Sequence, residues 1–532
     1  MTMRKEIKMR LDKEPKYREL LFKRGYLITT SKNISENEFP FYGLWEKNVF
    51  GNYFIYVHKE QTFYYYTKNE ISVVLVGHAY NPFLMECDEN QICKNLLDAY
   101  LKSREEYFDL ISELTGLFVV AVFDGNQLVV CQDACALTSC YFGEFNSSIF
   151  IAEHAQLIAD ILNLKMNSKV EKLVNSKCYN IGNRYLPGNI TPYDGVKRLG
   201  GNTYLVLNDS KFNIKRFYPV KELKMLTEES EKQEAVKKIG ELIHNGIECC
   251  VKKWNNRAIS LSGGTDSKTT LACANGLYEK FKYFSFSSKP QESVDADGAR
   301  KICDALGLEH TFYQIPQTNE EIDDFDFLKM LLNHNTSYFV NLADNEIRKF
   351  VYLYRLNAYD IELKSWASEV ARVFFERKYK IKMPERINER HCSIFQTRYF
   401  GHPILLKWSD KEYYNFLKEI ELDKTQFNFE HADLIYWEIR MGSWGASVTS
   451  AQQLFHRVTM PMNNRKILEL FLSMPHDERK SDLVHKKVMN AMNSDIEKAE
   501  VEIKNLYFHS YRIWLEKIYF YFRTLFYLPK KH

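Results

Sequence analysis

The chain has 532 residues, of which 45% are hydrophobic and 27% charged, so it is a globular protein too long for a single hydrophobic core. Its 72 lysines and arginines against 69 aspartates and glutamates give a formal charge of +3, which offers no strong electrostatic attraction, and we expect no nucleic-acid partner. No stretch of twenty uninterrupted apolar residues and no apolar leader occur, and the eleven cysteines show no zinc spacing. We therefore expect a cytoplasmic protein with reduced thiols.

Short runs rich in Val, Phe, Tyr and Ile fill residues 50 to 160, for example YFIYVH, SVVLVG and LFVVAVFDGNQLVV. The turn residues Asp124, Gly125 and Asn126 lie between two apolar runs, which is a strong hairpin signal. The first half is therefore predicted to be packed antiparallel sheet. The basic, proline-containing stretch 196–223 is interpreted as the hinge between the two halves.

From residue 228 the apolar residues recur three or four apart, as in EAVKKIGELIHNGIECCVKKW, which predicts a helix with one buried stripe. The run AISLS, the helix pattern KTTLACANGLYEKF, the run KYFSFSS and the helix pattern VDADGARKICDALGL follow in turn. Alternating strands and helices predict a parallel sheet covered by helices.

The turn between the first of these strands and its helix reads Ser262-Gly263-Gly264-Thr265-Asp266-Ser267. Two glycines allow the backbone to approach an anion, and the start of a helix adds partial positive charge. The serine hydroxyls can donate to phosphate oxygens, whereas an aspartate beside phosphate requires a magnesium ion between them. The loop fits neither GxxxxGK[ST] nor GxGxxG.

The pattern SGGxDS resembles the pyrophosphate-binding loop of the ATP pyrophosphatases, and among them the asparagine synthetase family. Four further segments are similar to that family: LTGLFVVAVFDGNQLVVCQDACALTSCYF in the first half, and SVDADGARKICDALGLEHTFYQIP, PMNNRKILELFLSMP and HKKVMNAM in the second. The resemblance implies an N-terminal, glutaminase-like antiparallel β-sandwich of the Ntn-hydrolase type at 1–215. It also implies an α/β parallel-sheet synthetase domain at 228–532, which activates a carboxylate with ATP as an acyl-adenylate and releases pyrophosphate.

The resemblance also implies roles for individual residues, with ATP and Mg²⁺ as cofactors. Asp266 would bind the metal, and Lys486, Glu369 and Arg372 would be catalytic. Ser368 stands where the family has a metal-binding aspartate, and Glu362 is a further polar candidate. The residues expected to bind the nucleotide are Leu261, Ser262, Gly263, Gly264, Thr265, Asp266, Ser267 and Ser287.

The sequence departs from the family in the glutaminase-like half. The chain begins Met1-Thr2, where glutamine-hydrolysing members expose a cysteine. Val76 and His78 occupy positions in the family's NGEIYN motif, and a valine side chain cannot donate to an oxyanion. We therefore expect this half to be catalytically inactive.

The leading hypothesis is an amide-forming ligase that acts on a small-molecule or peptide carboxylate, with nitrogen from ammonia or a substrate amine. The alternatives are a non-catalytic ATP-binding homologue, an asparagine synthase proper, and a pyrophosphatase acting on RNA, which the near-neutral charge disfavours. The aromatic C-terminal tail, residues 511–532, could contact a membrane surface, although docking on the protein's own core is the favoured interpretation.

Overall fold

The first half of the chain folds into two antiparallel sheets; the computed structural model describes residues 3–125, 127–181, 183–208, 211–340, 342–397, 402–498 and 510–524. The first sheet has the order β10-β8-β9-β1-β3-β2 and the second the order β12-β11-β7-β6-β5-β4. The strands are β1 (Tyr26–Thr29), β2 (Trp45–Phe50), β3 (Tyr53–His58), β4 (Phe63–Lys68), β5 (Ile71–Tyr80), β6 (Thr115–Asp124), β7 (Gln127–Gln132), β8 (Tyr141–Phe145), β9 (Ser148–Ala152), β10 (Lys197–Arg198), β11 (Thr203–Asn208) and β12 (Lys211–Arg216).

The two sheets pack face to face, and helices cover both outer faces. Ile28 and Ile55 of the first sheet meet Val74 and Val119 of the second in one apolar cluster. The helices of this half are α1 (Met3–Lys13), α2 (Glu89–Lys102), α3 (Arg104–Glu113), α4 (Ala155–Leu162), α5 (Ser168–Val174) and α6 (Lys177–Ile181). Helices α1 and α4 share a core with the first sheet, and α2 and α3 share one with the second. The predicted β-sandwich is confirmed, in four αββα layers.

Two local predictions in this half had opposite outcomes. Strands β6 and β7 form the predicted hairpin, with Asp124 paired to Gln127 and Gly125 at φ +58°, although Asn126 lies outside the described residues. The hinge predicted at 196–223 is wrong, because β11 and β12 pair there at the edge of the second sheet. Apolar residues of β11 face the core, and Lys211 and Lys215 of β12 are exposed, whereas the Arg216 side chain is buried in an ion pair with Glu438.

The second half contains the predicted parallel sheet, in the order β15-β14-β13-β16-β17. All four strand pairs are parallel. The strands are β13 (Arg257–Ser260), β14 (Lys282–Ser287), β15 (His310–Gln314), β16 (Ile361–Leu363) and β17 (Val458–Thr459). The chain builds outward from β13 to β15 and then returns to the other side of β13 with β16. Such a reversal of strand order opens a crevice at the carboxyl edge of the sheet, where ligands bind.

Helices surround this sheet and account for most of the second half. They are α7 (Glu229–Lys253), α8 (Thr265–Cys273), α9 (Pro290–Ala305), α10 (Phe325–Asn335), α11 (Asp344–Leu356), α12 (Phe374–Tyr379), α13 (Glu389–Cys392), α14 (Pro403–Glu419), α15 (Leu422–Thr425), α16 (His431–Ile435), α17 (Ala446–Gln453), α18 (Arg465–Leu472), α19 (His476–Lys480), α20 (Leu483–Lys498) and α21 (Ser510–Thr524). The predicted helix with one buried stripe is α7, which buries Val236, Ile239, Ile243 and Ile247. Among the described residues, no helix has the length and hydropathy needed to cross a membrane.

The C-terminal tail docks one side of α21 on the protein. Phe520 is buried and stacks on Phe395, with ring centroids 6.1 Å apart. Arg523 forms an ion pair with Asp410 at 2.7 Å. Trp514, Leu515, Ile518, Tyr521 and Phe522 on the same helix are exposed. The final stretch 525–532 lies outside the described residues.

The two halves share a continuous core and buried polar contacts. One apolar cluster contains Val120 of the sandwich and Ile243 of α7. Buried Arg465 donates to the carbonyl oxygens of Gln132 and Asp133 at 3.1 and 3.0 Å, and the indole of Trp437 donates to the carbonyl oxygen of Ala134 at 2.8 Å. The sandwich therefore forms a wall of the second half.

Candidate active site

The loop predicted to bind phosphate runs from the end of β13 into the first turn of α8. The hydroxyl groups of Ser262 and Ser267 lie 3.0 Å apart and bond to each other across the loop. The Ser262 hydroxyl also accepts from the Gly264 N–H at 3.3 Å. A Cβ atom at Gly264 would lie 3.2 Å from that hydroxyl, closer than ordinary contacts. The predicted serines therefore meet at the start of the helix.

The main chain of this loop is held on two sides. Leu261 N–H donates to the carbonyl oxygen of Phe284 at 2.9 Å, which extends the sheet beyond β13. Gly263 N–H donates to the carbonyl oxygen of Asp295 in α9 at 3.1 Å. The first-turn N–H groups of a helix have no intrahelical acceptor, so Thr265 and its neighbours present donors at this end of α8. The arrangement suits an anion.

A cavity of about 330 Å³ opens beside the loop at the carboxyl edge of the sheet. Four of the predicted nucleotide-binding residues line it, namely Leu261, Ser262, Asp266 and Ser267, and so does the predicted catalytic Glu369. Its apolar wall includes Phe286 and Trp366. Ser287, also predicted, bonds instead to Ser293 at 2.8 Å and to the carbonyl oxygen of Lys289 at 3.1 Å.

Two lysines that sequence reasoning missed also line this cavity. The Lys364 ammonium, just after β16, lies 3.3 Å from Oε1 of buried Glu362. The Lys349 ammonium from α11 pairs with Glu346 and lies 4.6 Å from the ring centre of Phe286. Burial lowers the pKa of Lys364, and the charge of Lys349 lowers it further, against the opposing effect of Glu362. Lys364 was predictable in part, because Glu362 and Lys364 are two apart at a strand end and share one sheet face.

Glu362 links this cavity to the interior of the sheet. Its Oε2 lies 2.5 Å from Nε2 of His456. Burial alone would raise the pKa of Glu362, but Lys364 and then His456 hold it well below the ordinary value. Burial lowers the pKa of His456 despite the neighbouring carboxylate. Glu362 is therefore a buried anion held by two partners on opposite sides.

Carboxylates line the α9 side of the cavity. Glu292 accepts from the N–H and the hydroxyl of Ser288, both at 2.7 Å. Burial, and then the charge of Glu292, raise the pKa of Asp295. The lining is thus mixed in charge, with cations from β16 and α11 and carboxylates from α9.

Arg372, predicted to be catalytic, pairs with Asp266 and joins a network behind the loop. It also donates to both oxygens of Asp482, at 2.8 and 2.7 Å, and Arg377 bonds the same carboxylate at 2.6 and 3.0 Å. Ser368 donates to the other oxygen of Asp266. Burial would raise the pKa of Asp482, but the hydrogen bond from Arg372 keeps it below the ordinary value.

The side chains present do not fit the magnesium site implied by the resemblance. One oxygen of Asp266 accepts from Ser368 and the other pairs with Arg372. Within the described residues, no group of three His, Cys, Asp or Glu side chains could hold a metal ion. A magnesium ion needs free oxygen ligands.

Lys486 and Glu369 occupy different settings. Lys486 is exposed on α20 and does not line the cavity, and its neighbour Lys487 pairs with Glu478 at 2.9 Å on the surface. The residue of α20 that faces the loop is buried His485, whose Nε2 lies 4.0 Å from Asp266. Burial lowers the pKa of His485 to about 4.

Glu369 lines the cavity and accepts a hydrogen bond of 2.5 Å from Tyr436.

The positions compared with the family's NGEIYN motif lie in β5. Val76 is buried in the core of the sandwich. His78 is buried edge-on against Trp254, with ring centroids 5.2 Å apart, and burial holds its pKa well below the ordinary value. Thr2 lies outside the described residues.

The chain thus joins an αββα sandwich to a parallel sheet that carries a glycine-rich loop at its carboxyl edge. Residues 239–327 match the family model described as asparagine synthase, so this segment of the chain is similar to that family. The matched segment includes α8 and the whole SGGTDS loop.

Two solved structures are similar to parts of the chain. Glutamine phosphoribosylpyrophosphate amidotransferase from B. subtilis, complexed with ADP and GMP, shows 11% identity over 54% of this chain and 59% of its own, with a TM-score of 0.22. The allosteric regulatory enzyme of purine biosynthesis shows 10% identity over 56% of this chain and 60% of its own, with a TM-score of 0.24. The chain thus spans less than two thirds of either structure. No curated protein sequence matches it.

Proposed function

We propose that the protein is an ATP-dependent ligase that activates a carboxylate as an acyl-adenylate, releases pyrophosphate and forms a carbon–nitrogen bond. The observation that carries this proposal is the SGGTDS loop, which opens the first turn of α8 onto a cavity at the point where strand order reverses. Such a site favours the anionic end of a nucleotide. The family match of residues 239–327 supports the same chemistry.

The loop and the lysines have separate tasks in this proposal. Ser262 and Ser267 exchange their mutual hydrogen bond for bonds to phosphate oxygens, beside the free N–H groups of the first turn. A substrate carboxylate oxygen attacks the α-phosphorus, and the bond to the pyrophosphate oxygen breaks. Negative charge then grows on the pyrophosphate, and Lys349 and Lys364 are the cavity's cations that can meet it. The nitrogen nucleophile next attacks the acyl carbon and expels AMP.

The nitrogen in this proposal comes from ammonia or from an amine of the substrate. Val76 in the sandwich core supports it, because a valine side chain provides no donor for a glutamine-derived oxyanion. The acceptor is a small-molecule or peptide carboxylate. Asparagine is the family's default product and ranks below these.

A second candidate is a protein that binds a nucleotide without turnover. The pairing of Asp266 with both Arg372 and Ser368 favours it, because a carboxylate neutralised in this way offers nothing to a metal–nucleotide complex. Formation of AMP and pyrophosphate from ATP distinguishes a ligase from a protein that only binds the nucleotide.

The experiment incubates the purified chain with ATP and pools of carboxylates, supplying either ammonium, amines or glutamine as the nitrogen source. Phosphorus NMR follows AMP and pyrophosphate, which should appear in equal amounts with ammonium or an amine and not with glutamine alone. Ser267→Ala should lower the rate at least tenfold, because the loop loses a phosphate donor. Ser481→Ala is the matched control, since this exposed hydroxyl bonds only to carbonyl oxygens of its own helix.

Release of ADP and phosphate would contradict the adenylate route. Binding of ATP with no product from any pool would favour the second candidate.

A further inference from the structure

A second cavity lies at the opposite, amino edge of the parallel sheet, between the sheet and the sandwich. It has a volume of about 350 Å³, in the range of small-molecule sites. Trp254, Phe284, Tyr359 and Phe455 form apolar parts of its wall. Trp254 also packs on His78, so the cavity adjoins the strand where the resemblance puts an oxyanion hole.

Cations in this cavity lack a full set of carboxylate partners. Arg24, just before β1, and Arg457, just before β17, both line it. Glu60 pairs with Arg24 at 3.1 Å and with Lys23 at 2.8 Å, so one carboxylate serves two cations. Arg457 donates to the main-chain oxygen of Glu60, and in the described part of the chain it forms no ion pair.

The other charged residues of the lining have contacts of their own. Lys253 pairs with Glu89, and Glu362 is held by Lys364 and His456. Asp360 is exposed and accepts the N–H of Asn256 at 2.8 Å. Arg24 therefore shares its carboxylate partner with Lys23, and Arg457 has no carboxylate within ion-pair distance among the described residues.

Arg24 is a buried cation with one nitrogen atom that lacks a hydrogen-bond partner among the described residues. It is 8% exposed, and its Nε has no hydrogen-bond partner among the described residues. Burial, and then the like charge of Arg457, lower its pKa to about 10. Burial also lowers the pKa of Arg457. Two guanidinium groups that are partly removed from water and line one cavity are costly unless an anion joins them.

We propose that this cavity is a binding site for a small carboxylate with an apolar body, whose carboxylate is held by Arg24 and Arg457 and whose body packs on the aromatic wall. Guanidinium groups match the planar carboxylate, and the aromatic rings select an apolar ligand over an inorganic ion. The site is separate from the loop cavity and does not depend on ATP chemistry.

The test measures the melting temperature and the binding heat of the full chain with phenylacetate and 3-phenylpropionate at millimolar concentration. Phenethylamine, which has a similar apolar body and the opposite charge, is the ligand control. We expect the carboxylates to bind and to raise the melting temperature, and the amine to do neither. Arg457→Met should weaken carboxylate binding at least tenfold, Arg457→Lys should weaken it less, and Lys349→Met in the loop cavity should leave it unchanged.

Absence of binding by both carboxylates would overturn the proposal, as would equal binding of the amine. Unchanged carboxylate binding in a folded Arg457→Met protein would also overturn it, and Arg24→Met provides a second variant if the first does not fold. Because ATP is absent from the assay, the result is independent of the proposed ligase activity.

Discussion

At the scale of single residues, three lysines differ in whether they can reach the negative charge that grows on the pyrophosphate during the reaction. Lys364 lines the cavity beside the loop, Lys486 is exposed on α20, and Lys487 forms surface ion pairs. A cation that meets charge only in the transition state lowers the barrier without tightening substrate binding. We propose that Lys364, which lines the cavity, meets this charge, whereas the catalytic role of Lys486 stays a prediction from the sequence.

We expect Lys364→Met to lower turnover by about a hundredfold with little change in ATP affinity, the scale of losing one oxyanion donor. Lys486→Ala and the control Lys487→Met should change turnover less than threefold. Single-turnover kinetics and ATP titrations check all three variants. A large loss at Lys486 with none at Lys364 would restore the original assignment.

Buried Glu153 gives the stability of the fold a pH dependence. Burial, and then the charge of Asp133, raise its pKa from 4.5 to about 8. A carboxyl with a raised pKa binds a proton more tightly in the folded state, so its contribution to stability is complete below about pH 4.5 and is lost as pH rises through 8. Glu153→Gln should raise the melting temperature by several degrees at pH 8.5 and change it little at pH 4.5. Exposed Glu144→Gln is the control, and an equal shift at both pH values would contradict the prediction.

The loop residues were predictable one by one, whereas the cations around them were not. Ser262, Ser267 and Asp266 follow from a local pattern that fixes their positions at a strand–helix turn. Lys349 comes from a helix far along the chain, and only tertiary packing brings it to the cavity. The partner of Asp266 depends on the same packing, because Arg372 lies 106 residues further along the chain.

At the scale of elements, the two faces of α21 should contribute very differently to the free energy of unfolding. Phe520 is 3% exposed and packs on Tyr379 and Phe395, whereas Phe522 is 71% exposed. Phe520→Ala should cost about 3 kcal/mol of unfolding free energy, since it leaves a cavity. Phe522→Ala should cost less than about 0.5 kcal/mol. Urea denaturation of both variants tests the docking of this helix. Equal losses of unfolding free energy would show that α21 does not pack on the core.

Elements with strong periodicity were predictable, and those defined by a distant partner were not. Helix α7 and the units from β13 to α9 carry their pattern locally. The stretch 196–223 looked like a connection because of its basic residues and proline, but β11 is a strand through its pairing with β7. Strand β16 has only three residues and no local signal.

At the scale of the whole molecule, Arg465 tests whether the two halves unfold together. Its guanidinium bonds Asn202 at 2.9 Å, two carbonyl oxygens of the sandwich, and lies 4.7 Å from the ring centre of Phe217. Arg465→Met leaves these acceptors unsatisfied and should cost about 3 kcal/mol. Calorimetry should show one transition at a lower temperature. Lys466→Met, which removes a surface ion pair with Asp109, is the control. Two separate transitions in the variant would show that the halves unfold independently.

The contact between the sandwich and the second half limits which parts of the chain can be deleted in evolution. Deleting the sandwich would bring Arg465, Trp437 and the apolar side of α7 into water in one step. A chain without the sandwich would expose these buried side chains, and we expect it to aggregate. The N-terminal half can therefore be retained without a catalytic role, because it keeps the apolar surface of the second half out of water.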